Sequence, residues 1–428
     1  MIPGDPRLHV IFVALLVGTQ AFFTALAVRN LRYSEATIRE EATWIEEELS
    51  IEDPTEVINY NRAKTGFSHL QSWIGLVLLL FVLYAGIFTQ AVAAVESLGF
   101  GPIIGGVIFF IGATIALQLF SVPFDLVGTF VIEEIFDFNN QTPKLWLRDA
   151  VVGLLLSIVL TAVLVGLLLA FIEWIPTWWW LAGTVFFVLF ALVMQVLYPR
   201  VIAPLFNDFD PIESGELREA VEAVFDRAGF SCDELYTMDA SRRSSHVNAY
   251  FVGFGRTKRV VLFDTLIDRM NIPEIQSVLA HELAHWQRKH IWKRLGVSSI
   301  RIGIMLVILW WLIAQPWLYE LFALPPAATY AGLLIGLLFV GPLMELTAPL
   351  ENKISLAHER EADDFAVSVM DDGEPLASAL TGLAAENLSN PFPDPLYAAF
   401  HYSHPPIPER IRRLRTDAID DGGSEATP

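Results

Sequence analysis

The stretch that decides this sequence is "SVLAHELAHWQRKH", residues 277–290. Asn271 and Pro273 just upstream read as a helix start, and Ile275, Leu279 and Trp286 recur as an apolar stripe. The predicted helix sets His281 and His285 one turn apart on a different face. Two imidazoles so placed can share one zinc ion, and Glu282 lies beside the first, close enough to take a proton from a polarised water.

The chain around that helix is built for lipid. Of its 428 residues 54% are hydrophobic, beyond what a soluble domain needs to fill a core. A net charge of −20 excludes nucleic acid as the expected partner. The single cysteine, Cys232, excludes an intramolecular disulfide and any multi-cysteine metal site, so a bound metal must rely on histidine and carboxylate.

Seven apolar runs are long enough to cross a bilayer as helices: 8–28, 73–95, 101–124, 150–172, 178–197, 296–317 and 327–350. The first reads as a span and not as a cleaved leader, because its stronger positive flank follows it. Arg29, Arg32, Lys144, Arg148, Arg242, Arg243 and Lys293 sit in alternate connections, whereas those near Glu96, Glu173 and Glu320 have no Lys or Arg. That asymmetry places the amino terminus outside and the carboxyl terminus in the cytoplasm, with Trp178, Trp179 and Trp180 in an interfacial belt. Arg301 and Glu345 fall inside spans, so each should face a partner or a polar cavity.

The expected organisation is membrane helices one to five over 1–197, a catalytic segment over 198–295, helices six and seven over 296–350 and a second catalytic segment over 351–428. Within 198–295, residues 216–228 read as an amphipathic helix capped by Ser214 and stopped at Gly229. Two β-like runs, "NAYFVGFG" and "KRVVLFDTLI", follow as a hairpin across Arg256 and Thr257. The ending "DAIDDGGSEATP" reads as a disordered acidic tail.

A zinc site needs a third protein ligand. In "SLAHEREADDFA" Glu359 and Asp363 are four apart on one helical face, giving a carboxylate ligand and a second carboxylate to orient a ligand imidazole. His358 competes with Glu359 for the ligand role, and Glu361 points elsewhere.

"RSSHVNAYFVGFG", "VLAHELAHW", "HEREADDFA" and "HYSHPPIPERI", in this order among seven spans, resemble the type I CAAX prenyl proteases, integral-membrane zinc endopeptidases of the gluzincin group. "TFVIEE", "FNNQTPKLWL" and "LYPRVIAPLFNDF" are similar to theirs too, so the likeness covers most of the chain. It implies an α-helical integral membrane protein, with about seven transmembrane helices around a water-filled chamber and a small α+β zincin-like catalytic domain on the cytoplasmic side. It also implies Zn2+ on His281, His285 and Glu359, Glu282 as catalytic base, and Asn248 and His404 holding the substrate carbonyl. Arg410 matches the arginine of the family's "ERI/ERL" motif and is expected among the substrate contacts. The family's "SR" pair before the glutamate is Ser355-Leu356 here, a departure on the substrate side of that helix.

Read on its own, Asn248 opens a β run whose edge can align an extended peptide, or else it is a turn residue. His404 is a donor for a developing oxyanion or a packing residue, and His401 is read as packing. The expected partners are the bilayer and a membrane-associated protein or lipidated peptide, cut next to its lipidated cysteine. The rivals are a general membrane-protein quality-control protease without prenyl specificity, and a transporter or channel with an incidental zinc site.

Overall fold

Asp5 accepts the Arg7 N–H at 2.8 Å and Pro6 presets the first helical φ, so α1 (Pro6–Glu40) starts at a capped end and runs 35 residues. The computed structural model describes residues 3–231, 234–252 and 259–422. After α2 (Ala42–Leu49), Asp53 and Pro54 repeat the capping device for α3 (Pro54–Tyr84). Gly86, at φ +79°, breaks the chain before α4 (Ile87–Ser97). Then come α5 (Gly101–Val127), a π-helical turn (Gly128–Ile132), α6 (Glu133–Ile135), α7 (Pro143–Trp174), α8 (Trp179–Leu197) and a second π-helical turn (Tyr198–Ile202). The catalytic segment holds β1 (Phe209–Pro211), α9 (Glu216–Arg227), β2 (Glu234–Met238), β3 (Ala249–Val252), β4 (Arg259–Phe263), α10 (Asp264–Arg269) and α11 (Ile272–Gln287). The chain continues through α12 (His290–Ile313), α13 (Pro316–Glu320), α14 (Thr329–Glu345), α15 (Ala348–Met370), α16 (Glu374–Glu386), α17 (Pro395–His401) and α18 (Ile407–Gly422).

Six helical stretches among the described residues are long and apolar enough to cross a membrane. The bent pair α14 and α15, angled by 48°, makes a seventh if it is one span. Two of the predicted runs are corrected. Run 73–95 crosses the break at Gly86, and its helix starts 19 residues earlier than the run, at Pro54, because polar residues off the apolar window are helical too. Run 327–350 crosses the bend, so α14 has only 17 residues and α15 carries the chain out of the apolar layer.

The two larger hydrophobic cores among the described residues sit apart. One gathers Ile38, Ile45, Leu49 and Val57 from the first three helices around Val224, Leu262, Leu279, Ala366 and Leu380 of the catalytic elements. The other packs Phe12, Leu83, Phe88, Phe109, Leu318 and Tyr330. Between them the helices are scarcely buried: 6% of the most apolar stretch of α3, and the same share of α8. α3 packs on α1 and α8 packs on α12, and the rest of each helix surface is left exposed. A cavity of about 530 Å3 among α3, α5, α6 and α7 sets Lys64, Gln118, Asp125, Glu133 and Asp149 beside Phe67, Phe124 and Trp146. Arg301 meets Glu351 at 3.0 Å, while Glu345 lies exposed.

The sheet has the order β1-β2-β4-β3, with β2 and β4 parallel and the other two pairs antiparallel. Pairing of Ala249 with Leu262 and Val252 with Arg259 matches the expected hairpin, whose connection at Arg256 and Thr257 lies outside the described residues. Gly215, not Ser214, occupies the cap position of α9, with no side-chain cap. The segment 417–422, expected as part of a disordered tail, continues α18 as helix.

Candidate metal centre

Helix α11 is fixed at its start by a capping box. Asn271 accepts the Glu274 N–H at 3.0 Å, and Glu274 accepts the Asn271 N–H at 2.9 Å. Ile275, Leu279 and Leu283 are buried against the catalytic core, whereas Trp286, expected in that stripe, is only half-buried. With the apolar face anchored, His281 and His285 turn toward α15, which brings Glu359 to meet them.

His281 Nε2 lies 3.3 Å from His285 Nε2 and 3.3 Å from Glu359 Oε2, and His285 Nε2 lies 3.4 Å from Glu359 Oε1. A tetrahedral ion holding N and O donors at about 2.1 Å separates them by about 3.4 Å, so this trio fits zinc in chemistry and in spacing. Among the described residues these three are the His/Cys/Asp/Glu group that converges in this way. His358, the competing candidate, stacks instead on His290, ring centroids 4.0 Å apart.

Asp363 and Glu359, four apart on α15, share the buried face. Asp363 Oδ1 accepts from His281 Nδ1 at 2.9 Å, leaving Nε2 free as a ligand atom. Arg410, expected among the substrate contacts, is 8% exposed and forks onto Asp363: Nη2 to Oδ1 at 2.6 Å and Nε to Oδ2 at 3.0 Å. His404 Nδ1 donates to Glu359 Oε2 at 2.6 Å with its ring more than half exposed. Asn248 lies exposed at the start of the edge strand β3. Its Oδ1 accepts the Ala249 N–H at 2.8 Å and its carbonyl accepts the Phe263 N–H. His401 packs between Phe23 and Tyr397.

Burial pulls the His281 pKa down, but its hydrogen bonds to Asp363 and Glu359 outweigh that and raise it to about 9. Burial and the neighbouring His281 charge push His285 down to about 3. Glu282 is raised, by burial first and by the Glu359 charge. A carboxylate held high in this way binds a proton more readily, which suits a proton acceptor beside a metal.

Two residues that sequence reasoning missed stand out. His246 stacks on Phe138 at 4.3 Å and pairs through Nδ1 with Asn387 Oδ1 at 2.8 Å, while Ser245 N–H donates to the Phe138 carbonyl. The "FNN" loop after the third span therefore seats the strand that Asn248 opens. The second is His290, 3.0 Å from His285 and 3.0 Å from Glu361. It returns to His285 because Lys289, at φ +58°, turns the chain between α11 and α12.

Residues 39–208 match the family described as CAAX prenyl protease N-terminal, five membrane helices, and residues 211–418 match peptidase family M48. The chain is 35% identical to a CAAX prenyl protease 1 homolog of Arabidopsis thaliana, over 83% of this chain and 85% of that one. It is 33% identical to CAAX prenyl protease 1 of Saccharomyces cerevisiae, over 86% and 87%. The crystal structure of S. mikatae Ste24p superposes with a TM-score of 0.86 at 28% identity, covering 96% of this chain and 99% of that one.

Proposed function

Because the chain belongs to the CAAX prenyl protease family within peptidase family M48, we propose that it cuts a peptide bond beside a lipidated cysteine with a zinc ion on His281, His285 and Glu359. The chain is a multi-pass membrane metallopeptidase. The convergence of three donors at 3.3–3.4 Å carries the choice of ligands.

Zinc bound there supplies Lewis acidity, lowering the pKa of a water and polarising a carbonyl oxygen. Glu282 takes the proton of the attacking water and later delivers it to the leaving amine. His404 donates to the developing oxyanion. Its Nδ1, 2.6 Å from Glu359 Oε2, sets the exposed ring beside the metal centre. The free edge of β3, entered at Asn248, holds the substrate backbone in extended form. Asp363 and Arg410 keep His281 in the ligand tautomer, so Arg410 acts behind the metal and not on the substrate.

The catalytic end is assigned to the cytoplasm on the charge of its connections. A membrane-anchored substrate then presents its cleavage site in the phase where the enzyme resides. Cleavage of a farnesylated CAAX peptide by the purified zinc-loaded protein, against the same peptide without lipid, tests the assignment. Strong preference for the lipidated peptide is expected; equal rates would point to general membrane proteolysis instead.

A further inference from the structure

We propose that His290 and Glu361 form a two-step support that fixes the tautomer and orientation of His285. The inference rests on the reading that His285 is a metal ligand through Nε2, and it extends that reading to residues outside the ligand set.

The proton positions follow from the geometry. His285 Nε2 faces Glu359 and His281, so that nitrogen must keep its lone pair for the metal, and the ring proton sits on Nδ1. Nδ1 faces His290 Nδ1 at 3.0 Å, and two nitrogens at that distance share one proton, so His290 accepts. His290 then carries its own proton on Nε2, which faces Glu361 Oε2 at 3.0 Å, an acceptor. One carboxylate thus sets the tautomer two rings away. The order Glu361, His290, His285 leaves no alternative placement while Nε2 of His285 stays a ligand.

Three features hold the middle ring. His290 is 1% exposed, it stacks on His358 with planes 13° apart, and the left-handed Lys289 sets the start of its helix. A flipped His290 would keep its plane but turn ring carbons toward both His285 and Glu361, and the loss of both hydrogen bonds opposes that. Glu361 is half exposed, with Lys293 Nζ at 3.9 Å.

The two ligand histidines are therefore held differently. His281 leans directly on Asp363, whose charge is balanced by Arg410. His285 leans on a neutral imidazole, with the carboxylate one ring further out. A second carboxylate in direct contact would add charge to a site that already holds Glu359 and Glu282, and would lower the electrophilicity of the ion. The imidazole gives orientation without that charge.

The test uses the full-length protein in detergent and measures zinc affinity by competition with a chromophoric chelator, the d–d spectrum of the cobalt(II) form, and kcat and KM. In His290→Phe the ring volume stays and the acceptor goes, so zinc affinity should fall about 10- to 100-fold, with kcat lowered and KM unchanged. In His290→Gln the amide can accept from His285 and donate to Glu361, and affinity and spectrum should return toward wild type. Glu361→Ala, at a half-exposed position that folding tolerates, should loosen zinc in the same direction and shift the cobalt band. Equal zinc affinity in wild type, His290→Phe and Glu361→Ala would overturn the proposal, as would His290→Gln binding no better than His290→Phe. Failure of the wild type itself to bind zinc would overturn the metal reading instead.

Discussion

Arg410 and Asp363 form a buried two-point pair, with neither side chain more than 9% exposed, and through it the last helix reaches the metal centre. Arg410→Leu would leave the Asp363 carboxylate buried without its counter-charge. A loss of about 3–5 kcal/mol is expected for breaking such a pair from one side. Arg410→Lys should recover only part of it, since an ammonium cannot fork onto both oxygens. Thermal unfolding together with zinc competition is the measurement. A variant with normal stability and zinc binding but a raised KM would return Arg410 to the substrate side.

Glu282→Gln separates catalysis from metal binding. The amide keeps the size of the side chain but cannot accept the water proton, so zinc content should be unchanged while peptidase activity falls about 10²- to 10⁴-fold. Elemental analysis and steady-state cleavage of a lipidated peptide read the two quantities separately. Full activity in this variant would remove Glu282 as the base.

Zinc binding should be strongly pH-dependent. In the metal-free protein His281 holds its proton up to about pH 9, because Asp363 and Glu359 outweigh its burial. A proton must leave before Nε2 can bind, so apparent affinity should rise about tenfold per pH unit through neutrality and level off above about 9. His285, already neutral above about pH 3, adds no slope there. Calorimetry in buffers of different ionisation enthalpy should count one proton released per zinc; a flat affinity between about pH 6 and 8 would contradict it.

Topology is checked on sealed membrane vesicles of known orientation. In a Cys232→Ser background, a cysteine at Ser244 should react with an impermeant thiol reagent only from the cytoplasmic face, and one at Glu320 only from the opposite face. Labelling of position 244 from the far face would reverse the orientation and put the catalytic end on that side.

Much of this was legible because it is local. Histidine spacing on α11, its Asn271 cap and the four-residue step from Glu359 to Asp363 are helical-period facts, and the structure brings those side chains together. The apolar windows located the spans but not their ends, because such a window reads contact with lipid and not helicity. Hence α3 begins far outside its window, and Gly86 breaks it inside. His290 was invisible for another reason. Its approach to His285 depends on one left-handed residue and on Glu361 arriving from α15, 71 residues later. Arg410 was found by its motif, but its partner could not be read from sequence, since 47 residues and a change of helix lie between it and Asp363.

The first helix is also tied to the far end of the chain: Asn30 accepts the Asp394 N–H at 2.8 Å, Arg29 pairs with Asp394, and Ser34 donates to the Phe392 carbonyl. The ribosome makes that helix long before the 390s, with Glu359 and Arg410 emerging well after His281. During synthesis the chain therefore passes through a stage with its membrane helices inserted and its metal centre incomplete. Nascent chains stalled before residue 359 should bind zinc weakly and show no peptidase activity, while chains released at full length gain both. An enzyme assembled in that order cannot complete its metal centre until Glu359 has been made.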